Sequence, residues 1–122
     1  MDKKQALILI NSKQIGVKLD NTNTHWSNLV RYGNDFGWWL NIPFHKFNDD
    51  LFIILNEKEV KKLIFIQIPK HNISNPETKF RNKENTADIY ISIQDKNRLT
   101  DSQSNSTSFQ FAKYVVEEYP YS

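Results

Sequence analysis

Gly37-Trp38-Trp39-Leu40-Asn41-Ile42-Pro43-Phe44-His45-Lys46-Phe47 and Ile64-Phe65-Ile66-Gln67-Ile68-Pro69-Lys70-His71-Asn72-Ile73 are two versions of one phrase. Laid over each other, Trp39 meets Phe65, Leu40 meets Ile66, Asn41 meets Gln67, Ile42 meets Ile68, Pro43 meets Pro69, His45 meets His71 and Phe47 meets Ile73. Each copy has the composition of a strand stopped by proline, which has no N–H to give to a ladder. Two such units in one short chain predict two like halves that close against each other and hide their edges.

Working outward, the chain alternates apolar runs with polar breaks. Residues 6–10 (Ala-Leu-Ile-Leu-Ile) have the length and content of a buried strand, and Ile15 to Leu19 alternate like a half-exposed one, with Asn11 to Gln14 as the hairpin loop between them. A polar turn at 20–24 leads to His25–Tyr32, an extended or irregular segment, and Gly33-Asn34-Asp35 reads as a turn. Residues 38–42 and 51–55 are strands, with Phe44 to Asp50 between them as one helical turn or a loop. Residues 63–68 return as a strand after the charged turn at 56–59. Residues 70–86 lack apolar periodicity and are read as a loop. Ile89, Ile91 and Ile93 lie on one face of a strand over 87–93. The polar stretch 94–108 is read as a flexible loop or a surface that orders on binding. Phe111, Tyr114, Val115 and Glu118 share a helical stripe, so a closing helix over 109–119 is expected, capped by Ser108 and stopped by Pro120.

The expectation is a single domain over residues 1–122, α+β but mainly β. It is a bent antiparallel sheet or open pseudobarrel of six or seven strands with a C-terminal helix. A chain of 122 residues buries roughly 65% of its unfolded surface and needs no metal or disulfide to hold a core. Without cysteine there is no disulfide framework or thiolate metal site, which fits a reducing compartment and a cytoplasmic location. The charged start, followed by a short apolar run, lacks the form of a signal peptide or membrane span. Lysine and arginine exceed aspartate and glutamate by 16 to 14, too small an excess to mark a polyanion binder by net charge alone.

Chemistry-bearing patterns are sparse. There is no Gly-x-Ser-x-Gly elbow and no glycine-rich phosphate loop, and no motif calls for a cofactor. His45 and His71, at matching places in the two copies, are candidates to converge, with Asp49 or Asp50 completing a divalent-metal site. No His-x-x-His spacing supports that, so no metal is assigned. Asp50 before one strand, with Gln67 and Lys70 after another, resembles the Asp, then Glu-x-Lys layout of the restriction-endonuclease superfamily. It departs from that layout in lacking the acidic residue before the lysine, in placing Gln67 three positions from Lys70, and in having no long helix ahead of the strands. A divergent metal-dependent nuclease is therefore one alternative.

The leading expectation is a non-catalytic DNA-binding domain of a restriction, defence or mobile-element system. Barrel-type recognition domains attached to restriction enzymes are similar in general architecture. Trp26, Arg31, Tyr32 and Asn34 mix flat rings with a cation and an amide suited to bases and phosphates. Lys79, Arg81 and Lys83 in one loop, and Lys96 and Arg98 in another, are candidate phosphate contacts. The other alternative is a small interaction module, a phage or mobile-element protein that anchors a host protein through exposed aromatics.

Overall fold

The structure, a computed structural model, describes residues 1–94 and 98–122. The chain begins with helix α1 (Lys3–Lys13) and continues through β1 (Thr24–Asn28), β2 (Val30–Tyr32), β3 (Asp35–Pro43), β4 (Leu51–Glu57) and β5 (Lys62–Ile68). A four-residue helix α2 (Pro76–Lys79), β6 (Arg81–Lys83), β7 (Thr86–Ser92) and β8 (Val115–Pro120) follow. The strands form two four-stranded sheets, ordered β1-β4-β5-β8 and β2-β3-β7-β6, and no closed barrel.

The main core lies between these sheets. Ile53, Leu55, Ile64, Ile66 and Ile68 of the first sheet meet Trp38, Leu40, Ile42, Ile89 and Ile91 of the second. The Trp38 indole N–H also donates to the Asn56 carbonyl at 3.0 Å. Alternation turns Ile54, Leu63 and Phe65 to the far side of the first sheet, where Ala6 and Ile10 of α1 cover them. Among the described residues no helix lies across the far side of the second sheet.

Both copies of the repeated phrase are strands, β3 in one sheet and β5 in the other. Matched residues Leu40 and Ile66, Ile42 and Ile68, and Phe47 and Ile73 all enter the one core. Pro43 is the last residue of β3, Pro69 follows β5, and a 3-10 turn (Phe44–Asn48) comes after Pro43. The β4–β5 hairpin stands as expected, and Ile89 and Ile91 share the inward face of β7, but that strand ends at Ser92 and Ile93 lies beyond it, exposed.

Four expectations are corrected. Residues 6–10 are helix, not strand: Asp2 accepts from the Gln5 N–H while the Gln5 side chain accepts from the Asp2 N–H, a reciprocal cap that starts α1. Residues 15–19 form no strand, and Ile15 is 97% exposed. Asn11 instead bonds both the N–H and the carbonyl of Leu19, tying the returning chain to the helix. The C-terminal helix is absent: a short 3-10 turn (Ala112–Tyr114) leads into β8, where β-branched Val115 and Val116 lie along β5. Ser108 has φ 57°, not the extended backbone of a helix cap. Finally, there are eight named strands in place of six or seven. Two short elements, α2 and β6, occupy the expected loop, and β1 pairs with β4 in parallel in an otherwise antiparallel arrangement.

Because Phe65 is fully buried between α1 and the first sheet, Phe65→Ala should cost about 3–5 kcal/mol through lost burial and a residual cavity. Urea unfolding followed by circular dichroism measures this.

Candidate functional site

The uncovered face of the second sheet is set by strand alternation. Gly37, Trp39 and Asn41 of β3 pair with Ser92, Tyr90 and Asp88 of β7, Tyr32 of β2 pairs with Asp35, and Arg81 of β6 pairs with Asp88. Members of a pair share a face. The face therefore carries an aromatic centre with amide, acidic and cationic neighbours.

Tyr32, Trp39 and Tyr90 touch one another, with ring centroids 5.2 Å (Tyr32–Trp39), 5.5 Å (Tyr32–Tyr90) and 4.6 Å (Trp39–Tyr90) apart. At these separations a ligand has no room among the rings and must lie on them. Tyr32 is 58% exposed, Trp39 is half-buried and Tyr90 is nearly covered. Glycine at position 37 permits the packing: a Cβ there would stand 2.5 Å from the Ile91 carbonyl and 2.6 Å from the Tyr90 hydroxyl. Tyr90 donates its hydroxyl to Asp35 at 2.8 Å. Burial, followed by Asp35, pushes the Tyr90 phenol up, so it keeps its proton. Burial works to raise the Asp35 carboxyl as well, but hydrogen bonds from Ser92, Tyr90 and the Phe36 N–H outweigh it and hold the group below its ordinary range.

At the other side of the face, Arg81 reaches Asp88 at 3.9 Å and Gln103 at 3.2 Å, and Gln103 donates to Asp88 at 3.1 Å. Lys83 and Asn41 line one shallow depression with Glu84 and Thr86. Asp101, fully buried, accepts from the Tyr90 and Gln103 N–H groups and fixes the 100–103 segment beside β7.

Of the residues singled out from sequence, Tyr32, Arg81 and Lys83 meet on this face. Arg31 is exposed one residue along β2, with its side chain donating to the Gly33 carbonyl. Asn34 is exposed in the β2–β3 turn. Trp26 lies on β1, packed partly against the α1 cluster. Lys79 ends α2, where its carbonyl accepts from Thr107. Arg98 is drawn away to Glu118 on β8. Lys96 lies outside the described residues. Sequence reading missed Tyr90, Asp35, Asn41 and Gln103, although the spacing Gly37-x-Trp39-x-Asn41 puts these three residues of β3 on one face.

His45 and His71, the candidates to converge, both line a cavity of about 460 Å³ with Phe44, Asn48, Asn75 and Glu77. His71 and Asn75 have φ of 68° and 53°, in the left-handed region. Asp49 and Asp50 face a different cavity, and Asp50 accepts from the Lys70 N–H at 2.8 Å. Among the described residues no three His, Cys, Asp or Glu side chains are grouped to hold a metal, and no helix is long and apolar enough to cross a membrane. The chain matches no family model, no curated protein and no solved structure.

Two outcomes test this geometry. Gly37→Ala should displace Tyr90 and destabilise the chain by about 1–3 kcal/mol, the usual cost of overpacking, with loss of near-ultraviolet tyrosine dichroism. Burial drives the Asp101 carboxyl up, against hydrogen bonds from Gln103 and Tyr90. A carboxyl raised in the folded state favours folding in acid, and that contribution is lost as pH rises from the ordinary aspartate range through the raised value. Asp101→Asn should therefore gain stability relative to the parent as pH rises above about 4, the ordinary aspartate range, seen as a converging or reversed difference in urea midpoints.

Proposed function

We propose that the chain is a non-catalytic nucleic-acid-binding domain that receives single-stranded DNA on the uncovered face of the second sheet. The observation that carries this reading is the contiguous Tyr32–Trp39–Tyr90 row on a face that no helix crosses among the described residues. Unpaired bases stack on the outward rings of Tyr32 and Trp39, since every base offers a flat π surface to an aromatic side chain. Arg81 and Lys83 on the adjoining strand meet phosphates, and Asn41 between them and the rings meets base edges. Asp88 accepts from Gln103 and pairs with Arg81, and Asp35 accepts from Tyr90, so a phosphate has to compete with Asp88 for Arg81. A sheet surface suits bases already free of pairing, whereas duplex recognition relies on a helix or ribbon entering a groove.

A second reading, docking of a protein partner, is favoured by Phe36 and Ile93. These residues are 42% and 41% exposed and joined by a hydrogen bond from the Ile93 N–H to the Phe36 carbonyl at 2.9 Å. An interface there would bury both side chains and leave Tyr32 untouched.

The readings separate by titration of a thymidine oligonucleotide at low salt, followed by tryptophan fluorescence. The nucleic-acid reading expects saturable quenching, and log K falling with log salt at about −0.7 per neutralised phosphate, hence about −1.4 for Arg81 and Lys83 together. Tyr32→Ala, at an exposed position, should weaken binding about 10- to 100-fold, the cost of one lost base stack. Absence of binding at low salt, or an unchanged affinity in Tyr32→Ala, rejects it.

A further inference from the structure

The corner between the two sheets leaves a gap. The chain runs from β1 through Leu29 into β2, so β1 belongs to the first sheet and β2 to the second. β2 pairs only with Asp35–Gly37, and from Trp38 onward β3 has a strand partner, β7, on one side alone. β1 likewise has β4 on one side alone. Where they diverge, Thr24, His25 and Trp26 of β1 and Trp39, Leu40 and Asn41 of β3 line a cleft of about 420 Å³, with Asn21, Thr22 and Lys3 at its end.

The lining combines three features. Each strand contributes one half-buried indole, Trp26 and Trp39. Lys3 anchors its ammonium on the Asn21 carbonyl at 3.0 Å, and Lys46 holds the Thr22 carbonyl at 3.0 Å from an adjoining cavity that shares Thr22 and His25. His25 Nε2 is buried with no hydrogen-bond partner among the described residues. Burial, then Lys3 and Lys46, lower the His25 imidazole to about 4, so near neutrality it adds no charge beside the two ammoniums. Three acids are nearby. Asp20, which bears on Lys3, accepts from Thr22 and Asn23 within its own turn, and Asp49 and Asp50 lie in the adjoining cavity.

We propose that the β1–β3 cleft binds a nucleoside phosphate, with the base against Trp26 and Trp39 and the phosphate against Lys3 beside His25. A free mononucleotide and the phosphorylated end of a strand present the same chemistry. The site shares Trp39 and Asn41 with the uncovered face but does not depend on Tyr32, Arg81 or Lys83.

The test titrates the intact protein with adenosine 5′-monophosphate, and with a thymidine oligonucleotide carrying or lacking a 5′-phosphate, while NMR follows the His25 ring at about pH 5. The proposal expects a saturable His25 shift toward the protonated form, because an adjacent anion favours the imidazolium. It also expects about tenfold weaker binding of the mononucleotide in Lys3→Gln, the size of one lost charged hydrogen bond, with unchanged mononucleotide affinity in Tyr32→Ala. Saturation by the mononucleotide assigns a free nucleotide, and a response only to the 5′-phosphorylated oligonucleotide assigns a strand end. If the mononucleotide leaves His25 unmoved and the two oligonucleotides bind alike, the proposal is overturned, even though the strand-binding reading of the outer face then survives. Unchanged affinity in Lys3→Gln overturns it as well.

Discussion

Burial of two isoleucine- and leucine-rich sheet faces against each other is the constraint on which everything else in this protein rests. The inward rows of β4 and β5 meet those of β3 and β7, and fixing those rows fixes the opposite rows by alternation. At about 25 cal/mol for each Å² of apolar surface removed from water, this contact is the largest source of stability available to a chain without disulfides. The polar insertions that break the rule are accommodated individually, as where the Trp38 indole reaches the Asn56 carbonyl between the sheets.

The difference between the two outer surfaces follows from a single helix. Phe65 and Trp39 hold matching places in the repeated phrase, each on the outward side of its own sheet. Phe65 is sealed by Ala6 and Ile10 of α1, and Trp39 instead packs its ring against Tyr32 and Tyr90. An approximate repetition in sequence has become one structural face and one open face. The open face accommodates its aromatics through Gly37, whose missing side chain leaves space for the Tyr90 ring.

How much of this was legible in the sequence depended on whether local pattern or distant pairing decided the outcome. β3, β4, β5 and β7 announced themselves through apolar content and proline or polar ends. Residues 6–10 misled because a short unbroken apolar run fits a buried strand and a covered helix equally well, and the decisive signal, the Asp2 and Gln5 cap, lay just outside it. Val115 was placed on a helical stripe because Phe111, Tyr114 and Glu118 happen to be spaced for one, yet pairing with β5 prevails over that local spacing. In the same way Tyr32 and Arg81 could be picked out as ring and cation, while their meeting across β3 and β7 could not, because it depends on strand order. Asp101 and Gln103 were hidden in a serine-rich stretch whose composition gives no sign that it packs along β7.

The parallel pairing of β1 with β4 imposes an order on assembly. β4 and β5 are joined by a short turn and find each other locally, but β1 must dock on the far edge of β4 after the chain has passed through β2 and β3. During synthesis Thr24–Asn28 therefore leave the ribosome well before the edge they need exists, and Trp26 remains unsheltered in the interval. In that interval the indole is open to a passing chaperone or to a neighbouring nascent copy of the same chain.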